Sequence, residues 1–208
     1  MWKLKRKYVN ESSAHNRFVM SENSIKSSIL NPLDLEKKAL RKNMRERKAA
    51  LSAEEKTLKS KRIFEFIESQ SWFTEAKVVM CYWSLPDEVI THDFCLKWMK
   101  SKTLLLPRMI GPDIVPVVFD GQLVKEPTLG VEEPQGELYS QTDMINVILV
   151  PGVAFDRDGN RLGRGKAYYD KFLHTTKALK VGVCFEEQLA EKIPTDHHDL
   201  PMDQVVAF

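Results

Sequence analysis

Cysteine is scarce in this 208-residue chain, with three residues at positions 81, 95 and 184. Odd in number, widely spaced and without a Cys-x-x-Cys pair, they exclude a disulfide framework and the common zinc spacings, and they point to a reducing, cytoplasmic compartment. Long apolar runs are missing too. The stretch from Val147 to Phe155 is interrupted by Pro151 and Gly152 and falls well short of the ~20 residues that span a bilayer, so no membrane partner is expected. Nine glycines and ten prolines are too few for a fibrous or low-complexity chain. An excess of one charge is lacking as well, with 31 Lys and Arg against 29 Asp and Glu. Residues 1–30 hold six of the basic residues (Lys3, Lys5, Arg6, Lys7, Arg17 and Lys26) against Glu11 and Glu22, which leaves the rest of the chain slightly acidic. Such a body gives no general reason to expect nucleic acid as a partner, so any cationic chemistry must be local.

What is present, 43% hydrophobic and 29% charged residues, is the composition of an ordinary globular chain of single-domain size. Residues 1–33 have no apolar period, are rich in Ser and Asn and end at Asn31-Pro32, which reads as a basic arm outside the fold, with residues 1–30 dispensable for it. The arm has no apolar core of a secretory signal. A transit peptide, against which Glu11 and Glu22 count, and an extension ahead of a start near Met20 both stay open.

From residue 34 a single α/β domain is expected. Leu33, Leu40, Met44 and Leu51 recur at helical spacing, and Lys37, Arg41, Arg45 and Lys48 step along another face, giving an amphipathic helix with a cationic stripe. Ser52-Ala-Glu-Glu55 is a capping box, so a second helix starts there and runs toward Gln70. Short β-rich runs follow at Val78–Trp83, Thr103–Leu106, Ile114–Phe119, Val147–Val150 and Val181–Phe185. Helices are expected between them over Thr91–Lys100, with Thr91 as N-cap, over about Lys166–Thr175, and over Glu186–Lys192. This alternation predicts a three-layer α/β/α domain with a mainly parallel sheet and the N-terminal helices packed alongside. Ligands in such sheets sit beyond the carboxyl ends of the strands, which directs attention to the loops at Leu85–Glu88 and Pro151–Asp170.

The second loop contains Asn160-Arg-Leu-Gly-Arg-Gly-Lys-Ala-Tyr-Tyr-Asp170. Its glycines let backbone N–H groups approach a ligand, its arginines and lysine supply charge, and a helix is expected to start just beyond, a combination suited to phosphate. Two common phosphate motifs fail. A Walker A loop needs glycine at Asn160 and Ser or Thr at Ala167, and a Rossmann turn needs glycine at Tyr168. A solvated turn, with its charges serving solubility, is the plain alternative.

The order of residues from Asn160 to Asp170 resembles the signature LGxGxGYYD of the 5-formyltetrahydrofolate cyclo-ligase family, also called methenyltetrahydrofolate synthetases. Three further pieces occur in that family's order: Lys37-Lys-Ala-Leu-Arg41, Trp83-Ser-Leu-Pro-Asp-Glu88 and Asp199-Leu-Pro-Met-Asp203. The likeness covers about Leu35 to Phe208. Alone, these pieces would read as a solvated cationic face, a polar strand end and a turn before an edge strand. Ala167 departs from the pattern, standing where the family has a third glycine.

The resemblance implies an ATP- and Mg²⁺-dependent ligase acting on small molecules as a monomer. It implies that Lys37 and Arg41 hold ATP phosphates and that Arg161, Leu162, Gly163, Arg164, Gly165, Lys166, Ala167, Tyr168 and Tyr169 wrap the nucleotide. Arg164 and Lys166 would be catalytic, facing the transferred phosphoryl group. Trp83, Glu88 and Tyr168, with Arg164 and Lys166, would contact the folate, and Asp170 and Asp199 would serve Mg²⁺, whose hard oxygen preference suits carboxylates plus phosphate. Asp203 is expected to be structural, Cys95 and Cys184 core thiols, His197-His198 a surface pair and Glu132-Glu133-Pro134 a turn. A related enzyme acting on another amide, or a non-enzymatic anion-binding module, stays open at this point.

Overall fold

The computed structural model describes residues 31–126 and 130–208; the basic arm expected over residues 1–33 lies almost wholly outside them. Residues 37–208 group as one compact unit. In chain order the elements are α1 (Pro32–Ala49), α2 (Ala53–Ser69), α3 (Ser71–Thr74), β1 (Val78–Met80), α4 (His92–Trp98), β2 (Thr103–Ile110), β3 (Asp113–Val118), β4 (Leu123–Lys125), β5 (Glu132–Pro134), β6 (Val147–Pro151), β7 (Ala154–Phe155), β8 (Arg161–Leu162), α5 (Tyr168–Leu173), β9 (Leu179–Cys184) and β10 (Gln204–Ala207).

Six of the strands form one sheet in the order β10-β9-β6-β1-β2-β3. All neighbours are parallel except β2 and β3. Side chains alternate faces along a strand, and here both faces are apolar. Val79, Leu104, Leu106, Val147, Leu149, Val181 and Val183 pack with Ile63, Phe64 and Ile67 of α2, Phe73 of α3 and Phe94 of α4. Met80, Leu105, Ile148 and Val150 point the other way, onto Phe155 and onto Phe172 and Leu173 of α5. A sheet covered on both sides is the expected three-layer arrangement. Its second cover is thinner than expected, because α5 spans 168–173 rather than 166–175.

Where local chemistry was strong, the elements form as expected. The Ser52 hydroxyl accepts from the Glu55 N–H at 3.1 Å while Glu55 Oε2 accepts from the Ser52 N–H at 2.8 Å, closing the capping box that starts α2. Thr91 stands at the N-cap of α4 without capping it. Its hydroxyl instead donates to the Tyr82 carbonyl at 2.6 Å and accepts from the Ser84 N–H at 3.0 Å, tying α4 to the loop after β1. Two expectations fail for tertiary reasons. The helix expected over Glu186–Lys192 is a single 3₁₀ turn at Glu186–Gln188, because the Ala190 N–H bonds the Phe155 carbonyl and draws the chain out of the helical path. Glu132-Glu133-Pro134 is not a turn but strand β5, paired antiparallel with β4. Cys95 and Cys184 are free and buried and His197 and His198 are exposed, as expected; Cys81 is free and buried too.

The topology selects the place for a ligand. From β1 the chain crosses to β2 on one side, while β6 lies against β1 on the other, with Val79 opposite Val147. Strand order therefore reverses between β1 and β6, and in open α/β sheets ligands bind at such a reversal, outside the carboxyl ends. Because β1 and β6 are parallel neighbours, the loops that follow them emerge side by side.

Candidate active site

The glycine-rich loop after β6 first forms a short hairpin, β7 with β8. Asp156 braces it from within, its buried carboxylate accepting from the N–H groups of Asp158, Asn160 and Ile193. Arg161 at the start of β8 turns inward, its side chain 4% exposed, and Nη2 donates to Asp170 Oδ1 at 2.6 Å. Gly163 is glycine because a Cβ there would lie 2.9 Å from Arg161 Nη1. Gly165 adopts φ +98, and the Arg41 guanidinium lies against its Cα side. Arg41 Nε also donates to the Gly163 carbonyl at 2.9 Å, so α1 holds the loop from the side.

Ala167 is the one residue other than glycine with positive φ among the described residues, at φ 54 and ψ 18. Where the family pattern has glycine, the alanine takes the left-handed conformation at a cost of ~1–2 kcal/mol. Part of the gain from glycine is lost to its freer unfolded chain. Ala167→Gly should thus stabilise the protein by about 0.5–1 kcal/mol in urea unfolding. A destabilised variant would show that the alanine is unstrained.

The cationic stripe expected on α1 is not wholly a solvent face. Lys37, Met44 and Lys48 are buried together, whereas Arg45 is exposed. Their aliphatic stems cover the body of the domain while the heads reach carboxylates on the loops. Lys37 Nζ donates to Asp199 Oδ2 at 2.6 Å and to Asp196 Oδ2 at 3.2 Å. Burial works against its charge, but those two carboxylates outweigh it and leave its pKa raised. Lys48 Nζ donates to the carboxylate and the carbonyl of Asp87 at 2.6 and 2.9 Å.

Asp87 and Glu88 lie in the loop after β1, and both bind Arg164 of the glycine-rich loop. Arg164 Nη2 reaches Asp87 Oδ1 at 2.6 Å and Glu88 Oε1 at 2.9 Å, and its Nε reaches the same Glu88 oxygen at 3.3 Å. Partial burial disfavours the charge on Asp87, yet Lys48 and Arg164 hold its pKa down at about 2. A carboxylate with a depressed pKa stabilises the fold above its unfolded pKa near 3.8, and that contribution is lost as pH falls toward about 2. Because Asp87 is 42% exposed, the discounted contribution is about 1 kcal/mol. Urea midpoints of wild type and Asp87→Asn should therefore differ above that window and converge below it. A constant difference would mean that Asp87 is unpaired in solution.

Beside this junction lies a cavity of about 490 Å³ lined by Trp83, Ser84, Leu85, Pro86, His92, Lys125 and Glu132. Trp83 stacks on His92 with ring centroids 4.1 Å apart, and its Nε1 donates to Glu132 at 2.8 Å. Glu88, 8% exposed, uses Oε2 to accept from the Leu85 N–H at 3.0 Å. The Tyr169 hydroxyl and Arg161 Nε are buried without hydrogen-bond partners among the described residues. Burial, with the Glu88 charge next in effect, raises the Tyr169 pKa and keeps the hydroxyl a donor.

The structure thus brings together Trp83 and Glu88 on one side and Arg41, Arg161, Gly163, Arg164 and Gly165 on the other. Lys166 is exposed at the loop tip with no recorded partner among the described residues, and Tyr168 packs partly buried over the second core. Asp170 and Asp199 each face a basic residue, Arg161 and Lys37 respectively. No group of three or more His, Cys, Asp or Glu that could hold a metal occurs among the described residues. Asp87, Lys48 and Asp196 carry no site role in the sequence reading, although Lys48 belongs to the cationic stripe. Lys48 did carry a signal, standing eleven residues after Lys37 and so on the same helix face.

A model of the 5-formyltetrahydrofolate cyclo-ligase family matches residues 34–207. The chain belongs to this family. It is 30% identical to the 5-formyltetrahydrofolate cyclo-ligase of Mus musculus over 187 residues, covering 82% of this chain and 92% of that one. The solved 5,10-methenyltetrahydrofolate synthetase of Aquifex aeolicus superposes with a TM-score of 0.74 at 35% identity, over 82% of this chain and 89% of that one. That of Mycoplasma pneumoniae gives 0.67 at 25% identity, over 82% and 98%. The family places the chain among ligases, and among the described residues no helix is long and apolar enough to cross a membrane.

Proposed function

We propose that this cyclo-ligase family member closes 5-formyltetrahydrofolate to 5,10-methenyltetrahydrofolate with conversion of ATP to ADP and phosphate. The observation that carries the reading is the junction at the strand reversal, where Arg164 of a cationic glycine loop binds Glu88 beside a cavity walled by Trp83. One loop suits phosphates and the other a flat heterocycle with N–H donors, and the chemistry requires both within one step's reach.

A formyl amide oxygen is a poor leaving group at neutral pH. Transfer of the γ-phosphoryl group to that oxygen releases ADP; the N10 lone pair then attacks the activated carbon, the C–O bond breaks and phosphate departs, with N10 giving up its proton. Phosphoryl transfer asks the protein for positioning and charge rather than a nucleophile. Lys37 and Arg41 bind the phosphates of ATP, and Arg161 through Tyr169 wrap it. Arg164 and Lys166 face the transferred group, with Lys166 free at the loop tip to do so. Trp83 and Tyr168 stack on the pterin and Glu88 accepts its N–H donors.

Mg²⁺ is assigned to carboxylates that each already face a basic residue. Two carboxylates, Asp170 and Asp199, stand next to the basic residues assigned to phosphate, and this cation commonly takes only one or two carboxylates together with phosphate oxygens. They would hold Mg²⁺, which supplies neutralisation of phosphate charge when bound.

The test is a coupled assay of purified protein with 5-formyltetrahydrofolate, ATP and Mg²⁺, following the methenyl product and ADP together. One ADP should form per product. ADP release stimulated by a different amide and not by the folate would reassign the substrate, and the absence of both products would remove the reading.

A further inference from the structure

Glu88 and Asp87 are adjacent carboxylates that both bind Arg164, and their situations differ. Glu88 is nearly buried, and its oxygens already serve the Leu85 N–H and the guanidinium. Asp87 is anchored from behind by Lys48, whose side chain is 3% exposed and whose ammonium grips both the Asp87 carboxylate and its carbonyl. Two adjacent negative charges are matched by two positive ones, one buried and fixed and the other on a loop. The Lys48–Asp87 pair is buried at its lysine end, while the Asp87 side chain is 42% exposed.

Arg164 by itself is poorly constrained, being 48% exposed on a segment flanked by Gly163 and Gly165. Such a side chain has many rotamers, and ordering them opposes catalysis unless something else holds the guanidinium. Asp87 and Glu88 occupy its Nε and Nη2, while no acceptor is recorded for Nη1 among the described residues.

We propose that Asp87 is a positioning residue for this reaction: fixed by Lys48, it clamps one edge of Arg164 and leaves Nη1 for the transferred phosphoryl group. The inference rests on the reading given under Proposed function, in which Glu88 turns its carboxylate to the pterin. Asp87 then keeps Arg164 in place after Glu88 is engaged, and the chain α1–Lys48–Asp87–Arg164 couples the loop after β1 to the loop after β6.

The experiment is a double-mutant cycle between Asp87 and Arg164, read in kcat and in the KM values for ATP and folate. Asp87→Ala should lower kcat on the order of ten-fold, with the folate KM nearly unchanged. In an Arg164→Ala background the same change should cost little more, because its route runs through Arg164. Asp87→Asn, which keeps an acceptor and loses the charge, should fall between. Should Asp87→Ala fail to fold with Lys48 left unpaired, Lys48→Met with Asp87→Ala removes the buried charge and keeps the volume. A readout independent of turnover is phenylglyoxal labelling of Arg164, located by peptide mass mapping, which should quicken several-fold when Asp87 is replaced. An unchanged kcat, a full additive loss in the Arg164→Ala background, or unchanged labelling would each overturn the proposal. If the wild type turns over no folate, the assigned reaction falls, and labelling then decides whether the clamp exists.

Discussion

Arg164→Ala should lower kcat for 5-formyltetrahydrofolate by about 10²–10³-fold, the loss typical when a preorganised donor to developing charge is removed. Its stability should fall modestly, because nearly buried Glu88 loses its guanidinium partner, although the Arg164 side chain is half exposed and Asp87 keeps Lys48. Lys166→Ala should act in the same direction with no stability change, since its amine contacts no recorded partner among the described residues and lies exposed. Glu88→Ala is expected to raise the KM for the folate. It should also depress kcat modestly, because Glu88 Oε1 holds Arg164 Nε and Nη2. The folate and nucleotide loops are therefore not independent, and a clean division of effects between them is not expected. Steady-state kinetics with each substrate varied in turn, alongside thermal melts, checks all three variants. Turnover within two-fold of wild type for both Arg164→Ala and Lys166→Ala would remove the phosphoryl-facing assignment.

Much of this arrangement is legible in the sequence where local chemistry dictates structure. The Ser52–Glu55 capping box, the continuous apolar run Val147–Val150 and the glycine spacing at 163 and 165 each express a short-range rule, and each element stands where the rule puts it. The failures come from long-range contacts. Periodicity separates polar from apolar residues but cannot see that Lys37 and Lys48 meet carboxylates more than thirty residues away, so a buried cationic face reads as a solvated one. Glu133 and Pro134 carry turn-forming character, yet pairing with Leu123 and Val124 makes them a strand. Asp87 is invisible for a further reason. A carboxylate next to the assigned Glu88 has no pattern of its own, and only the sheet order, which sets β1 against β6, brings it to Arg164.

Asp170→Ala should be among the most destabilising single changes at the site, and it separates two explanations for this carboxylate. Arg161 is 96% buried by side chain, and apart from Asp170 it has one hydrogen bond among the described residues, from Nη1 to the Pro151 carbonyl at 3.3 Å, and a position 5.5 Å over the Tyr169 ring. Its Nε is already without a partner among the described residues. Removing the carboxylate leaves a buried guanidinium uncompensated, which costs roughly 3 kcal/mol, or a melting point lower by roughly 6–12 °C in a protein of this size. Asp199→Asn should differ, because Lys37 retains Asp196 at 3.2 Å and the amide oxygen still accepts from the Asp196 N–H. Its melting point should move little, while the Mg²⁺ concentration needed for half-maximal turnover rises if the carboxylate serves the metal. The double variant Arg161→Met with Asp170→Ala should regain most of the lost stability, since a buried pair replaced by apolar groups is often neutral, and it should stay inactive because Arg161 is assigned to the nucleotide. A stable Asp170→Ala protein with only a raised Mg²⁺ requirement would make Asp170 a metal carboxylate and nothing more. An unstable one whose activity is not recovered by added Mg²⁺ would make it the counter-ion that keeps Arg161, and with it the glycine-rich loop, in place.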